Sequence, residues 1–219
     1  LNEAVRLHEE GHAIADIEAV SKASFGIGMG PFELMNVTGV PITLHASASL
    51  AERLGDFYAP AAALKPQVDS GQAWDLSGDA AGSNDDAILE RLWGVVYHVA
   101  AQLVSEGVST PEDTDIGARV GLRWPVGPFE RFNEMGVERA AGYAAALAKR
   151  YELAEPTVLE ARRSEGTEFA LSRVVTQTEG GVAYVTINRP DKLNALDPET
   201  VSQLAARFDE AASDEAVTG

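Results

Sequence analysis

Apolar side chains recur at every third or fourth position between residues 88 and 103, the spacing of one face of an α-helix. Gly107 follows this stretch and is expected to end the helix, as Gly11 ends a matching stretch at the start of the chain. The apolar residues with this spacing are Ile88, Leu89, Leu92, Val95, Val96, Val99 and Leu103. The candidate N-caps of this helix are Ser83, Asn84 and Asp85.

A second helix is predicted after each of these stretches, beginning near Asp16 in the first case and near Thr110 in the second. Pro111 fits the first helical position, because its missing N–H would have no partner there. Each second helix is followed by Gly-Pro-Phe-Glu, in which glycine breaks the helix and proline starts a short new one. A longer helix is then predicted from Pro41 and from Val137. The two copies of this GPFE motif are Gly30, Pro31, Phe32 and Glu33, and Gly127, Pro128, Phe129 and Glu130.

The helical part of the chain therefore contains one pattern twice. Residues 16–39 and 113–136 share seven identities at a constant separation of 97 positions, and the residues upstream share four at a separation of 96. We interpret this as a tandem duplication. Residues 55–83 are predicted to be the linker between the copies, with an amphipathic piece near residues 64–68.

The hydrophobic period changes near residue 170. Residues 173–177 and 182–188 have the composition of two β-strands, and residues 179–181 form a Gly-rich turn between them. Pro190 ends the second strand, and Asp197 begins a helix. The apolar face of that helix consists of Val201, Leu204, Ala205 and Phe208.

The predicted fold is mainly α, with two helical repeats packed pseudo-symmetrically and then a short β-hairpin and one helix. The predicted domains are residues 1–80, 81–165 and 170–219. We expect the GPFE helices to lie at or near the contact between the repeats. The first repeat begins partway along its opening helix and the last segment is too small to be a domain. We therefore expect both ends to be cuts in a longer chain.

The chain carries 34 acidic and 17 basic residues, a net charge of −17, and only four of the basic residues are lysines. This charge argues against nucleic-acid binding, which needs clustered Lys and Arg. Two interpretations remain open: an ordinary acidic protein, or adaptation to high salt, which would screen the repulsion. The sequence has no cysteine, no recognisable leader and no long apolar run, which favours a cytoplasmic protein with no membrane partner.

Two short patterns raise chemical alternatives. His8 and His12 have the spacing of a zinc-peptidase helix, with Glu9 as the general base. Gly11 is expected to end the helix between them and the second repeat has neither histidine, so we predict two surface histidines and no metal site. The glycines within residues 26–30 do not follow a strand, which argues against a phosphate-binding loop.

The repeats resemble the C-terminal helical domain of the 3-hydroxyacyl-CoA dehydrogenases, over about residues 1–152. The second repeat departs from the family pattern at His98 and where residues 89–93 open its helix. The blocks that carry the resemblance are residues 1–4, 10–11, 16–18 and 30–34 in the first copy, and 106–107, 113–115 and 124–130 in the second.

The last segment resembles a different family. Residues 182–190 and 193–196 are similar to the start of an enoyl-CoA hydratase (crotonase) domain, and this resemblance covers about residues 171–219. The order of the two segments resembles that of a fused β-oxidation enzyme of the archaeal type. Combined with low lysine and high acid content, it favours a salt-loving source.

The resemblance implies a parent enzyme that hydrates a 2-enoyl-CoA and then oxidises the 3-hydroxyacyl-CoA with NAD. The NAD-binding Rossmann domain and the rest of the crotonase domain would lie outside this chain, as partners within the same polypeptide. We therefore expect no catalytic residue, no NAD contact and no bound cofactor here. Acyl-CoA and a second copy of the chain are further expected partners. The alternative is a free-standing helical dimerisation or scaffold module. The candidate CoA contacts are Lys192, Asn194, Ala195 and Leu196.

Overall fold

The computed structural model describes residues 1–82 and 85–218, and this part of the chain is mainly helical, which confirms that prediction. None of its helices combines the length and the apolar character that crossing a bilayer requires. The first repeat contains α1 (Asn2–Glu9), α2 (Ile14–Phe25), α3 (Pro31–Thr38), α4 (Val40–Leu54), a 3₁₀ turn (Asp56–Tyr58) and α5 (Leu64–Ser70). The second contains α6 (Asp85–Ser105), α7 (Pro111–Gly121), α8 (Pro128–Met135), α9 (Val137–Arg150) and α10 (Thr157–Glu165).

The remaining segment is a β-hairpin followed by a helix. Strands β1 (Val174–Glu179) and β2 (Val182–Ile187) pair antiparallel, with Val174 opposite Ile187. Gly180 and Gly181 form the two-residue turn, and both have positive φ, 58° and 83°, as tight hairpin turns require. A 3₁₀ turn (Pro190–Lys192) leads to α11 (Pro198–Ser213).

Of the helix starts predicted near Asp16, Thr110 and Asp197, the last two have the expected side-chain cap. Thr110 accepts a hydrogen bond from the amide of Asp113 (3.1 Å), and Asp197 accepts one from Thr200 (2.8 Å), so both are N-caps as expected. The first of the three helices, α2, begins at Ile14, near the predicted position, but Ala13 occupies its N-cap and Asp16 lies inside the helix. Of the candidate caps for α6, Ser83 and Asn84 lie outside the described residues, and Asp85 is the first residue of the helix.

The core is centred on α6. This helix packs along α9 of its own repeat and against α1 and α2 of the first repeat. Its Trp93 ring stacks on Phe25 of the first repeat, with ring centroids 4.2 Å apart, and on Tyr97 one turn away, at 5.2 Å. The principal contact between the repeats is thus made by α6, α1 and α2. The GPFE helices pack on helices of their own repeats, α3 on α2 and α4, and α8 on α6, α7 and α9. That they lie at or near the contact between the repeats stays a prediction.

Residues 55–83 are predicted to be a linker, and the structure packs parts of this segment onto the first repeat. Leu64 of α5 is fully buried and Trp74 is buried. Both match residues of the second repeat at a separation of 95 positions, where Leu159 and Phe169 are also buried. The duplicated unit is therefore longer than the sequence identities alone indicate.

Candidate functional site

An acidic side chain caps the GPFE helix in each repeat. Glu18 of α2 accepts hydrogen bonds from the first two amides after Pro31, at 2.7 and 3.3 Å. Asp115 of α7 accepts the equivalent bonds after Pro128, at 2.7 and 2.9 Å. A carboxylate at this place satisfies N–H groups that lack a helical partner and opposes the positive end of the helix dipole.

The glycine of each motif is required by this cap. Neither glycine has a positive φ (−79° for Gly30, −75° for Gly127), so backbone freedom is not the reason for the residue type. A Cβ built on Gly30 would overlap the Glu18 carboxylate, and one built on Gly127 would overlap Asp115. The residue type is therefore set by the space that the capping carboxylate needs.

The glutamate of each motif forms an ion pair with the helix that carries the cap. Glu33 pairs with Lys22 of α2 at 2.6 Å, and Glu130 pairs with Arg119 of α7. The two basic residues are 97 positions apart, as are the two glutamates, so the bridge is repeated although the basic residue type changes.

An asparagine ties each GPFE helix to the last segment of its repeat. The Asn36 amide donates to the carbonyl of Trp74 (2.9 Å) and accepts from its N–H (2.8 Å). Asn133 makes the same two bonds to Phe169, at 2.8 and 2.9 Å. These contacts and the caps give the motif an architectural role inside each repeat.

Arg91 lies at the centre of a buried polar cluster between the repeats. Its guanidinium donates to Glu3 of α1, to Glu10 (2.9 Å) and to the Tyr151 hydroxyl (2.8 Å). Tyr151 in turn donates to Glu3 at 2.7 Å. Side chains of both Arg91 and Glu3 are less than a tenth exposed. The pKa of Arg91 is raised by Glu10 and Glu3, although burial opposes this, so the guanidinium stays charged.

The zinc-peptidase alternative finds no geometric support. Gly11 has a φ of 99° and ends α1, so His12 lies outside the helix. The His8 ring packs edge-on against Phe32 (5.9 Å) and Trp74 (6.0 Å), so it belongs to the core margin rather than to the open surface that we expected. Among the described residues, no group of three potential ligands is placed to hold a metal ion.

The four candidate CoA contacts lie together in the segment between β2 and α11. Asn194 accepts from the amide of Arg189 at 2.9 Å, and Ala195 accepts from the Arg189 guanidinium, so both stabilise the loop itself. Leu196 is exposed. Lys192 lines a cavity of about 470 Å³ between α7, α8 and residues 168–199.

That cavity carries mixed charge. Arg119, Arg173 and Arg189 line it together with Lys192, but acidic residues outnumber these four, and Asp115 is among them. Arg173 and Arg189 both pair with Asp197, at 2.7 and 2.8 Å. Burial raises the pKa of Asp115 to about 7, although its bond to Phe129 and the charge of Arg119 act in the opposite direction.

We expect the stability of the chain to fall as Asp115 ionises. Its folded pKa of about 7 lies above the ordinary value of 3.8, so its contribution is complete below pH 4 and is lost as pH rises through 7. The slope contributed by one proton is at most about 1.4 kcal/mol per pH unit. Between pH 4 and 7, the stability of Asp115→Asn in urea unfolding should fall less with rising pH than that of the unaltered chain. The exposed Asp209→Asn is the control, and equal slopes for all three would contradict the expectation.

Sequence identities missed the parts of the site whose residue types differ between the repeats. Glu18 and Asp115 are 97 positions apart, as are Lys22 and Arg119, so conservative pairs at the repeat separation were the available signal. Arg91 and its partners gave no signal, because Arg91 has no counterpart within the first repeat.

Comparison with known proteins agrees with this architecture. The sequence model of one family, the 3-hydroxyacyl-CoA dehydrogenase C-terminal domain, matches residues 1–81 and again residues 88–167. The solved 3-hydroxybutyryl-CoA dehydrogenase of Escherichia coli K12 superposes with a TM-score of 0.62 at 16% identity, over 75% of this chain and 57% of that one. The fold is thus that of a dehydrogenase helical domain.

Curated relatives point the same way. The fatty acid oxidation complex subunit alpha of Shewanella amazonensis is 28% identical over 204 residues, which are 77% of this chain and 28% of the relative. The subunit of Shewanella baltica is 26% identical, over 71% of this chain and 27% of the relative. The chain belongs to the family of the 3-hydroxyacyl-CoA dehydrogenase C-terminal domain. It spans less than a third of the length of these relatives.

Proposed function

We propose that this chain is the helical, substrate-side part of an NAD-dependent 3-hydroxyacyl-CoA dehydrogenase of fatty-acid β-oxidation. The observation that carries the proposal is the double match to the C-terminal domain of that family along one chain. Enzymes of this family act on CoA thioesters with NAD. The NAD-binding domain would be supplied by further sequence of the same cytoplasmic polypeptide.

We further propose that the two repeats are related by an approximate twofold axis and that the second stands in for a partner subunit. The repeated caps, ion pairs and asparagine contacts support an equivalent construction of the two units. A contact formed within one chain would be available without a second copy.

Residues 170–219 are proposed to begin an enoyl-CoA hydratase domain in the same polypeptide. The hairpin and the helix leave several large apolar side chains outside any core, among them Leu193, which is 93% exposed, and Phe208, which is 59% exposed. Such a surface supports the proposal that more chain packs against this segment. CoA contacts at Lys192, Asn194, Ala195 and Leu196 remain part of this proposal.

The test is to express the uninterrupted reading frame that contains this segment and to assay it with two substrates. We expect NAD reduction with 3-hydroxybutyryl-CoA and loss of enoyl absorbance with crotonyl-CoA, and neither with residues 1–219 alone. A frame that encodes no nucleotide-binding unit and gives no turnover would favour the scaffold alternative. Dehydrogenase activity without hydration of crotonyl-CoA would contradict only the proposal that residues 170–219 begin a hydratase domain.

Adaptation to high salt is proposed from the charge of −17 and the four lysines. At about 2 M KCl the Debye length is roughly 2 Å, so surface charges hardly repel one another, whereas at about 0.05 M it is roughly 14 Å and the repulsion persists. We expect the melting temperature to rise by more than about 4 °C between the two, the shift that roughly 1 kcal/mol produces in a chain of this size. Potassium sulfate should raise it further, because it strengthens hydrophobic burial. A flat or falling KCl series would contradict adaptation to salt.

A further inference from the structure

One structural contact of the first repeat is missing from the second. In the first repeat, the Asn2 side chain donates to the carbonyl of Ala59 (2.9 Å) and accepts from the amide of Ala61 (2.8 Å), so it clamps the loop before α5. The equivalent helix position in the second repeat, 96 residues on, is His98. The equivalent of Ala61, 95 residues on, is Pro156, which has no N–H to donate.

A cavity lies where the clamp has been lost. It has a volume of about 260 Å³, and His98 and the loop around Pro156 form one side of it. Phe57 and Tyr58 of the first repeat form the other side. Because both halves of the clamp differ at once, the second repeat lacks this contact, and the His98 side chain forms part of the cavity wall instead.

The cavity is lined by aromatic rings, by apolar side chains and by polar side chains, His98 and Glu155 among them. His98 is only 4% exposed, and its Nδ1 is buried without a partner. Burial lowers the pKa of His98, so the ring is neutral and one nitrogen can accept a hydrogen bond. One oxygen of Glu155 pairs with Arg163 (2.8 Å), while Oε1 is buried without a partner.

The charge of the cavity has one sign. Glu106 and Glu155 line it, and among the described residues no lysine or arginine does. An ammonium group carries a positive charge and offers only donors, which suits a cavity lined by two glutamates, and aromatic faces attract cations. A carboxylate or phosphate ligand would instead meet like charge.

We propose that the cavity between the two repeats binds a small organic cation, a primary ammonium group on an apolar body. The ammonium donates to His98 and Glu155, and the apolar part lies against Phe57 and Tyr58. This site is separate from the proposed dehydrogenase activity and does not depend on it.

Benzylammonium chloride is a suitable probe, with benzyl alcohol and sodium benzoate as neutral and anionic controls. Titration of the ¹⁵N-labelled 219-residue chain, followed by NMR, should give saturable shifts at His98 and Tyr58. We expect benzyl alcohol to bind at least about tenfold more weakly and benzoate not to shift these signals.

Rebuilding the clamp provides the matched variant. His98→Asn combined with Pro156→Ala restores the pair found in the first repeat and should weaken benzylammonium binding by about tenfold or more, while unfolding remains cooperative. Glu155→Gln should also weaken benzylammonium binding, and it is the variant to test if the double variant does not fold. His45→Asn, on the exposed side of α4, should leave binding unchanged.

Three results would overturn the proposal. One is equal binding by the double variant and the unaltered chain. Another is benzoate binding as strongly as benzylammonium. The last is a non-saturable response spread over the acidic surface, which would show general attraction of cations to a chain of charge −17.

Discussion

Replacing Arg91 by alanine is expected to lower the free energy of unfolding by about 3–5 kcal/mol, because it leaves Glu3 buried without its counter-charge. Glu3 would keep only its bond from Tyr151 and its surface-side contact with Arg6. The total stability of a domain is roughly 5–15 kcal/mol, so this single change should move the urea midpoint strongly. Equilibrium urea unfolding followed by circular dichroism is the measurement.

Two further variants separate the loss of this cluster from the loss of any arginine. Arg207→Ala removes an exposed partner of Glu210 and should cost no more than about 1 kcal/mol. Glu3→Leu combined with Arg91→Met removes both charges and should recover much of the stability lost in Arg91→Ala. If Arg91→Ala and Arg207→Ala had similar effects, the buried cluster would not hold the repeats together.

Gly94→Ala is expected to destabilise the chain by about 1–3 kcal/mol, although alanine is the better helix former. A Cβ on Gly94 would lie 2.7 Å from the carbonyl oxygen of Tyr143 and 3.4 Å from the Cβ of Leu147. Because the nearest atom is backbone of α9, relief requires the two central helices to move apart. Thermal and urea unfolding would both report the loss.

Gly142→Ala, on the exposed side of α9, is the matched control. Nothing lies within 4 Å of a Cβ at this position, so the substitution should stabilise the chain by up to about 1 kcal/mol through helix propensity. The same substitution should therefore have opposite signs on the two helices of one pair. A stabilising Gly94→Ala would show that α6 and α9 are not closely packed there.

The structural elements that the sequence predicted correctly are those whose formation depends on residues close together along the chain. The three- and four-residue period of α6, the Thr110 cap and the two-glycine turn of the hairpin each depend on neighbouring residues. Asp16 has the residue type of an N-cap, yet its carboxylate accepts from the amides of Ala81 and Gly82, at 2.6 and 3.1 Å. Asp16 therefore makes a tertiary contact instead of acting as an N-cap, and the local sequence pattern carries no information about tertiary contacts.

The candidate site was less accessible from sequence for the same reason. The resemblance supplied Lys192 and its neighbours, but not the cavity that Lys192 lines with α7. Arg91 meets Glu3 across 88 positions, and no periodicity relates the two. Finding the cavity at His98 required a comparison of the two repeats at two separations, 96 positions for the helix and 95 for the loop. A comparison at one constant separation does not align both Asn2 with His98 and Ala61 with Pro156.

The cluster around Arg91 also bears on the order in which the chain folds. Glu3 meets Tyr151 across 148 positions, and Glu10 meets Arg150 across 140, so α1 is completed by residues that are synthesised much later. Closing so long a loop is entropically costly and slows the step that forms it. The polar cluster on α1 therefore closes only after α9 has been synthesised, although α1 also contacts residues 57–61 of its own repeat. We expect this late closure to couple the unfolding of the two repeats.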